Sequence, residues 1–197
     1  MSRRWIAPIA VGIALLGLLA WGVSRGLERL VAPEPVVETA PPPEAATAHI
    51  TATLFYASED GQALVPVRRE IALAEGVVAQ GREVLASLLE PAPAPYLQVM
   101  PMGTRLRAFY VTERGDAFVD LSGELSRAHP GGSLAELLTV YAIVNAVTVN
   151  LPAIQRVQIL VEGNEVDTVA GHVDVRRPLL RDASLVRDPA AEGEAAP

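Results

Sequence analysis

Ser122, His172 and Asp174 are the residue types of an acyl-transfer triad, in which a hydroxyl attacks, an imidazole takes its proton and a carboxylate orients the ring. Their placement argues against that chemistry. Ser122 follows the strand-like run Ala117-Phe118-Val119-Asp120-Leu121 without the Gly-x-Ser-x-Gly elbow that exposes a nucleophile. His172 and Asp174, two apart on a predicted strand, point to one face, so the carboxylate does not grip the ring from behind. Ser122 is expected to bond neighbouring backbone amides at a strand end, and His172 to be a hydrogen-bonded strand residue. Metal chemistry is no better served: His49 lies in a linker, and no two histidines have ligand spacing such as i, i+4. His129-Pro130-Gly131-Gly132 reads as a loop before a helix, with no following lysine to cradle a phosphate. The sequence therefore assigns no catalytic, cofactor-binding or metal-binding residue, and no cofactor or enzyme activity.

Two polar features need partners instead. Asn145 lies deep in the apolar run 134–149, and a buried amide left unpaired costs about 1–3 kcal/mol. It is expected to bond the backbone of a neighbouring loop. Arg68 and Arg69 on one predicted strand, with Arg105 and Arg107 on another, are read either as a solvated face or as a basic patch for an acidic partner.

The elements that must carry these residues follow from periodicity and punctuation. Residues 50–58 are β-branched and aromatic, and after the turn Glu59-Asp60-Gly61-Gln62 a second strand returns over 64–72, with Pro66 marking it as an edge or a bulge. Residues 77–90 carry a helical stripe, ended by Pro91, Pro93 and Pro95. Strands are predicted at 104–112 and 117–121 around the hairpin signal Gly115-Asp116. Ser133 and Glu136 match a capping box before the long apolar helix 134–149, and residues 157–161 form an apolar strand. Two helices among hairpins predict an α+β fold, a mainly antiparallel sheet with both principal helices on one face.

The chain has 197 residues, no cysteine and a net charge of −7. Disulfides, thiolate metal sites and a lipid on an N-terminal cysteine are excluded. Residues 50–181 hold eleven arginines against fifteen acids and no lysine, so nucleic acid is not an expected partner. Residues 5–23, from Trp5 to Val23, are free of charge. As a helix they would span about 28 Å, close to the ~30 Å core of a bilayer. Arg3 and Arg4 ahead of them leave residues 1–4 as a cytoplasmic stub under the positive-inside rule. The segment is read as a single-pass inner-membrane anchor partnered by the lipid bilayer, with a cleaved signal ending near Gly22-Val23-Ser24 as the alternative. Either way, the main domain is exported. Residues 24–49 form a proline-rich spacer, 50–181 the folded domain and 182–197 an acidic tail expected to be disordered.

The domain resembles the GerMN family. The resemblance rests on Leu54-Phe55-Tyr56, Leu88-Leu89-Glu90-Pro91, Met100-Pro101-Met102-Gly103-Thr104, Ala117 to Ser122, Ala142-Ile143-Val144-Asn145, Val157 to Gly163, and Gly171-His172-Val173-Asp174 followed by Pro178-Leu179, all in order. Ala146 and Val147 stand where the family often has threonine and leucine, and the domain is present once. The resemblance implies an extracytoplasmic domain without catalytic activity that serves protein assembly in the cell envelope, in sporulation or germination. Envelope proteins are the expected partners. Binding to peptidoglycan, as an accessory to a wall hydrolase, is the alternative.

Overall fold

The computed structural model describes Trp21 and residues 48–187. The anchor or signal segment, apart from the helical Trp21, nearly all of the spacer, and the tail beyond Arg187 lie outside the described residues. The chain divides into two units, 1–45 and 46–197, and the fold that follows belongs to the second.

Alternation in β1 (His49–Ala57) buries Ala52, Leu54 and Tyr56, and the strand pairs antiparallel with β2 (Leu64–Ala72), Ala57 opposite Leu64 and Ile50 opposite Ile71. The turn between them is held by polar side chains: Asp60 accepts the Gln62 amide and Ser58 accepts the Ala63 amide. Helix α1 (Val77–Leu89) follows, then β3 (Leu106–Val111) and β4 (Asp116–Leu121) as an antiparallel hairpin across Gly115. A short α2 (Glu124–Arg127) leads to α3 (Ser133–Asn150), after which come β5 (Arg156–Val161), β6 (Asn164–Glu165) and β7 (Leu179–Leu180).

The α+β class holds, but the expected single sheet is two. β1 and β2 form a sheet of their own, while β3, β4 and β5 form a second, with β6 and β7 both paired antiparallel to β5. The outer edge of β1 is stopped by side-chain and loop partners. Asn150 accepts the Thr53 amide at 2.8 Å and donates to the Thr53 carbonyl at 2.7 Å, and Leu97 exchanges both backbone bonds with Ala57. Within the second sheet β4 and β5 are parallel, because the chain between them is a crossover built on α3, the connection a parallel pair requires.

The two helices join the sheets. α1 packs on β1, β2 and β3, α3 packs on β1 and β5, and the helices pack on each other. α3 is long and apolar enough to cross a bilayer, but most of its second half is buried in this domain's core: Ala142, Ile143, Val144, Ala146 and Val147 have no exposed surface. A helix surrounded by protein is apolar on all sides for that reason.

Close packing of α1 on β3 depends on Gly81. A Cβ there would lie 2.2 Å from a ring carbon of Phe109, which is 1% exposed and walled in. Gly81→Ala gains about 1 kcal/mol of helix propensity but forces an overpacked contact that costs about 1–3 kcal/mol. The expected outcome is a melting temperature lower by several degrees in a thermal unfolding scan. An unchanged or higher value would contradict the packing.

Candidate functional site

The predicted capping box does not form. Gly132 occupies the position before α3 with φ 89°, and no side chain caps the helix. Glu136 has turned the other way and is completely buried. Its Oε1 accepts the amides of Val169 and Ala170 at 2.8 and 2.7 Å, and its Oε2 accepts the His172 amide at 2.7 Å and faces His172 Nδ1 at 3.1 Å. The loop it fills, residues 167–175, is closed by the Val175 amide on the Asp167 carbonyl at 2.9 Å, and buried Gln158 donates to the Val175 carbonyl at 2.6 Å. Burial pushes the Glu136 carboxyl up, but the amides of Ala170, His172 and Val173 and the His172 ring outweigh it and hold the group below its ordinary value.

The triad residues are each engaged elsewhere. Ser122 Oγ accepts the Arg105 amide at 3.0 Å, the backbone role expected of it. His172 serves Glu136 from a loop rather than the predicted strand. Asp174 is forked with Arg176 at 2.6 and 3.0 Å, which holds its carboxyl far below the usual range. Among the described residues no group of three or more histidines and carboxylates converges as a metal site. His129 does lie in the loop before α3: its Nδ1 accepts the Gly131 amide at 3.0 Å and its Nε2 lies 3.1 Å from Thr139 Oγ1.

Asn145 finds the loop backbone expected of it, donating to the Asp182 carbonyl at 2.8 Å and accepting the Asp182 amide at 3.1 Å. That pair begins an ordered stretch where the sequence suggests a tail. The Leu64 amide donates to the Leu185 carbonyl and the Arg187 amide to the Leu64 carbonyl, so residues 185–187 bridge onto the outer edge of β2. The basic patch is split. Arg69 reaches Glu90 and the Ser87 carbonyl, both at 3.0 Å, whereas Arg107 pairs with Asp120 at 3.2 Å in the other sheet.

Residues 91–104 contain no charge, a feature the sequence reading passed over. Leu97 is 46% and Met102 91% exposed. On one side of this segment a groove of 380 Å³ runs to Pro130, Leu134, Ala135, Leu138 and Thr139. On the other side a groove of 550 Å³ is lined by Leu89, Pro91, Ala92, Tyr96 and Met102.

The Germane family model, described as sporulation and spore germination, matches residues 53–167, more than half of the chain. The chain belongs to this family. Among solved structures, this Germane domain is similar in fold to the tandem GerMN domains of the sporulation protein GerM from Bacillus subtilis, at 16% identity and TM-score 0.51, covering 68% of this chain and 46% of that one. It thus spans about half the length of the tandem protein. The first GerMN domain of the same protein matches at 17% identity and TM-score 0.50, covering 68% of this chain and 96% of the other. Among curated proteins none matches.

The Glu136 contacts make a definite claim about acid. A carboxyl whose folded pKa lies below its unfolded one contributes stability that is present above the unfolded value, about 4.3, and is lost as the pH falls through the folded one. Glu136→Gln removes the charge and turns an amide NH2 toward amide donors, at an expected cost of about 3 kcal/mol near neutral pH. Denaturant unfolding from pH 7 downward checks this. The variant is expected to lose less stability on acidification than the parent, and parallel curves would refute the assignment.

Proposed function

We propose that this Germane domain is a non-catalytic recognition module of the bacterial cell envelope, held by residues 5–23 on the outer side of the cytoplasmic membrane and presented through the proline-rich spacer. The family, one of sporulation and spore germination, supports an envelope setting. The carrying observation is the exposed, charge-free stretch 91–104, flanked by two grooves. Depletion of charge with enrichment of aromatic residues and methionine is the composition of an interface core.

Recognition by strand addition is less well supported. β1 is stopped by Asn150 and Leu97, and β2 by residues 185–187 and by Pro66, which has no amide to continue that ladder. β3 carries a bulge between Leu106 and Ala108, with Arg107 tied to Asp120. These are devices that blunt a sheet edge. A partner protein is therefore expected to meet side chains of the segment.

Photocrosslinking of the full chain in cells tests this. A crosslinker at position 97 or 102 is expected to give adducts with envelope proteins, whereas one at Arg68 on β2 is not. Met102→Asp is expected to reduce the adducts from position 97 about tenfold, the effect of placing one charge in an apolar contact. Equal adducts from position 68 would overturn the assignment. So would sedimentation with purified sacculi that Met102→Asp leaves unchanged, which would favour a wall ligand.

A further inference from the structure

The loop that closes the first groove is held by one imidazole, and the donors around it fix that ring's protonation state. Nδ1 of His129 accepts the Gly131 amide at 3.0 Å, so it carries no proton. Nε2 therefore bears the hydrogen and faces Thr139 Oγ1 at 3.1 Å. Thr139, 2% exposed, passes its own hydrogen to the Val99 carbonyl at 2.7 Å. This relay ties the 129–132 loop, the second turn of α3 and the 97–101 segment together through a single neutral ring. Pro130, Thr139 and Val99 all line the groove.

A proton added from solvent to Nδ1 would turn that nitrogen into a donor pointed at the Gly131 N–H. Two donors face to face cannot bond. Gly131 and Gly132 both have positive φ, 82° and 89°, with nothing within 4 Å of a notional Cβ, so the backbone they form has open space around it. We propose that His129 is a proton-operated latch: neutral, it holds the 130–132 loop against the groove, and protonated, it releases that loop and widens the groove.

The charged groups that bear on the ring come from two elements. Glu136 of α3 favours its protonation and His172 of the 167–175 loop opposes it, while burial is the largest influence and disfavours the charge. In α2, Glu124 and Arg127 are engaged with each other at 2.8 Å. The latch thus closes near neutral pH and opens on acidification. Its effect on recognition rests on the reading of the 91–104 surface given above, but its movement does not.

Hydrogen exchange of the detergent-solubilised full chain, corrected for intrinsic rates, is the test. Between about pH 7.5 and about pH 5, protection of the Gly131 amide is expected to fall about tenfold, with the amides of β4 and β5 unchanged. In His129→Asn the side-chain carbonyl can accept the Gly131 amide at either pH, so its protection is expected not to respond, while His129→Ala is expected to be open at both. His172→Asn should retain the response. Unchanged protection in the parent, or the same loss in His129→Asn, would overturn the latch. Crosslinking from position 97 at both pH values separates the two proposals: adducts with invariant exchange defeat the latch alone, and pH-dependent exchange without adducts defeats the recognition surface alone.

Discussion

A carboxylate removed from water must be met by donors, and in this fold Glu136 is met by the backbone of another segment. That requirement binds the first turn of α3 to the loop 167–175, which in turn holds Gln158 of β5 through the Val175 carbonyl. The helix that carries the core, the strand at the centre of the larger sheet's crossover and the last long loop are thereby fixed with respect to one another. The same helix repeats the device with neutral groups farther along: Asn145 takes both backbone groups of Asp182, and Asn150 takes both of Thr53. Three side chains on one helix satisfy the backbone of three other segments: the 167–175 loop, Asp182 and the outer edge of β1.

The consequence for function is a surface of unusual economy. Strand edges are closed by an amide, a proline, a bulge and the returning segment 185–187, so the sheets present little free backbone. What is left uncharged and outward-facing is residues 91–104, in the connection between α1 and β3, a long link without helix or strand of its own. Long irregular connections in compact domains are where binding residues are commonly placed, because the surrounding elements hold them without using them.

Much of the fold was legible locally. Strand β2 runs over the predicted residues, α1 begins at the predicted Val77, and Asn145 finds a loop backbone because a lone amide in an apolar helix has few other options. The parts that were not legible depend on distant pairing. Thr53 and Asn150 are 97 residues apart, and nothing in either neighbourhood announces the other. Ser133 and Glu136 have capping-box spacing, yet a buried carboxylate gains more from three amides and a ring than from one helix terminus. The acidic composition after Arg181 hid Leu185 and Val186, which reach the edge of β2. The single-sheet expectation failed where a helical crossover makes β4 and β5 parallel and a side chain stops β1.

The central claim is that Glu136 is ionised inside the protein because the 167–175 loop is wrapped around it. The most direct measurement is the carbon-13 shift of its side-chain carboxyl followed through an acid titration of the full chain. A midpoint below the ordinary glutamate value of about 4.3 is the predicted result. A midpoint above it, the mark of a buried carboxyl kept neutral, would contradict the account.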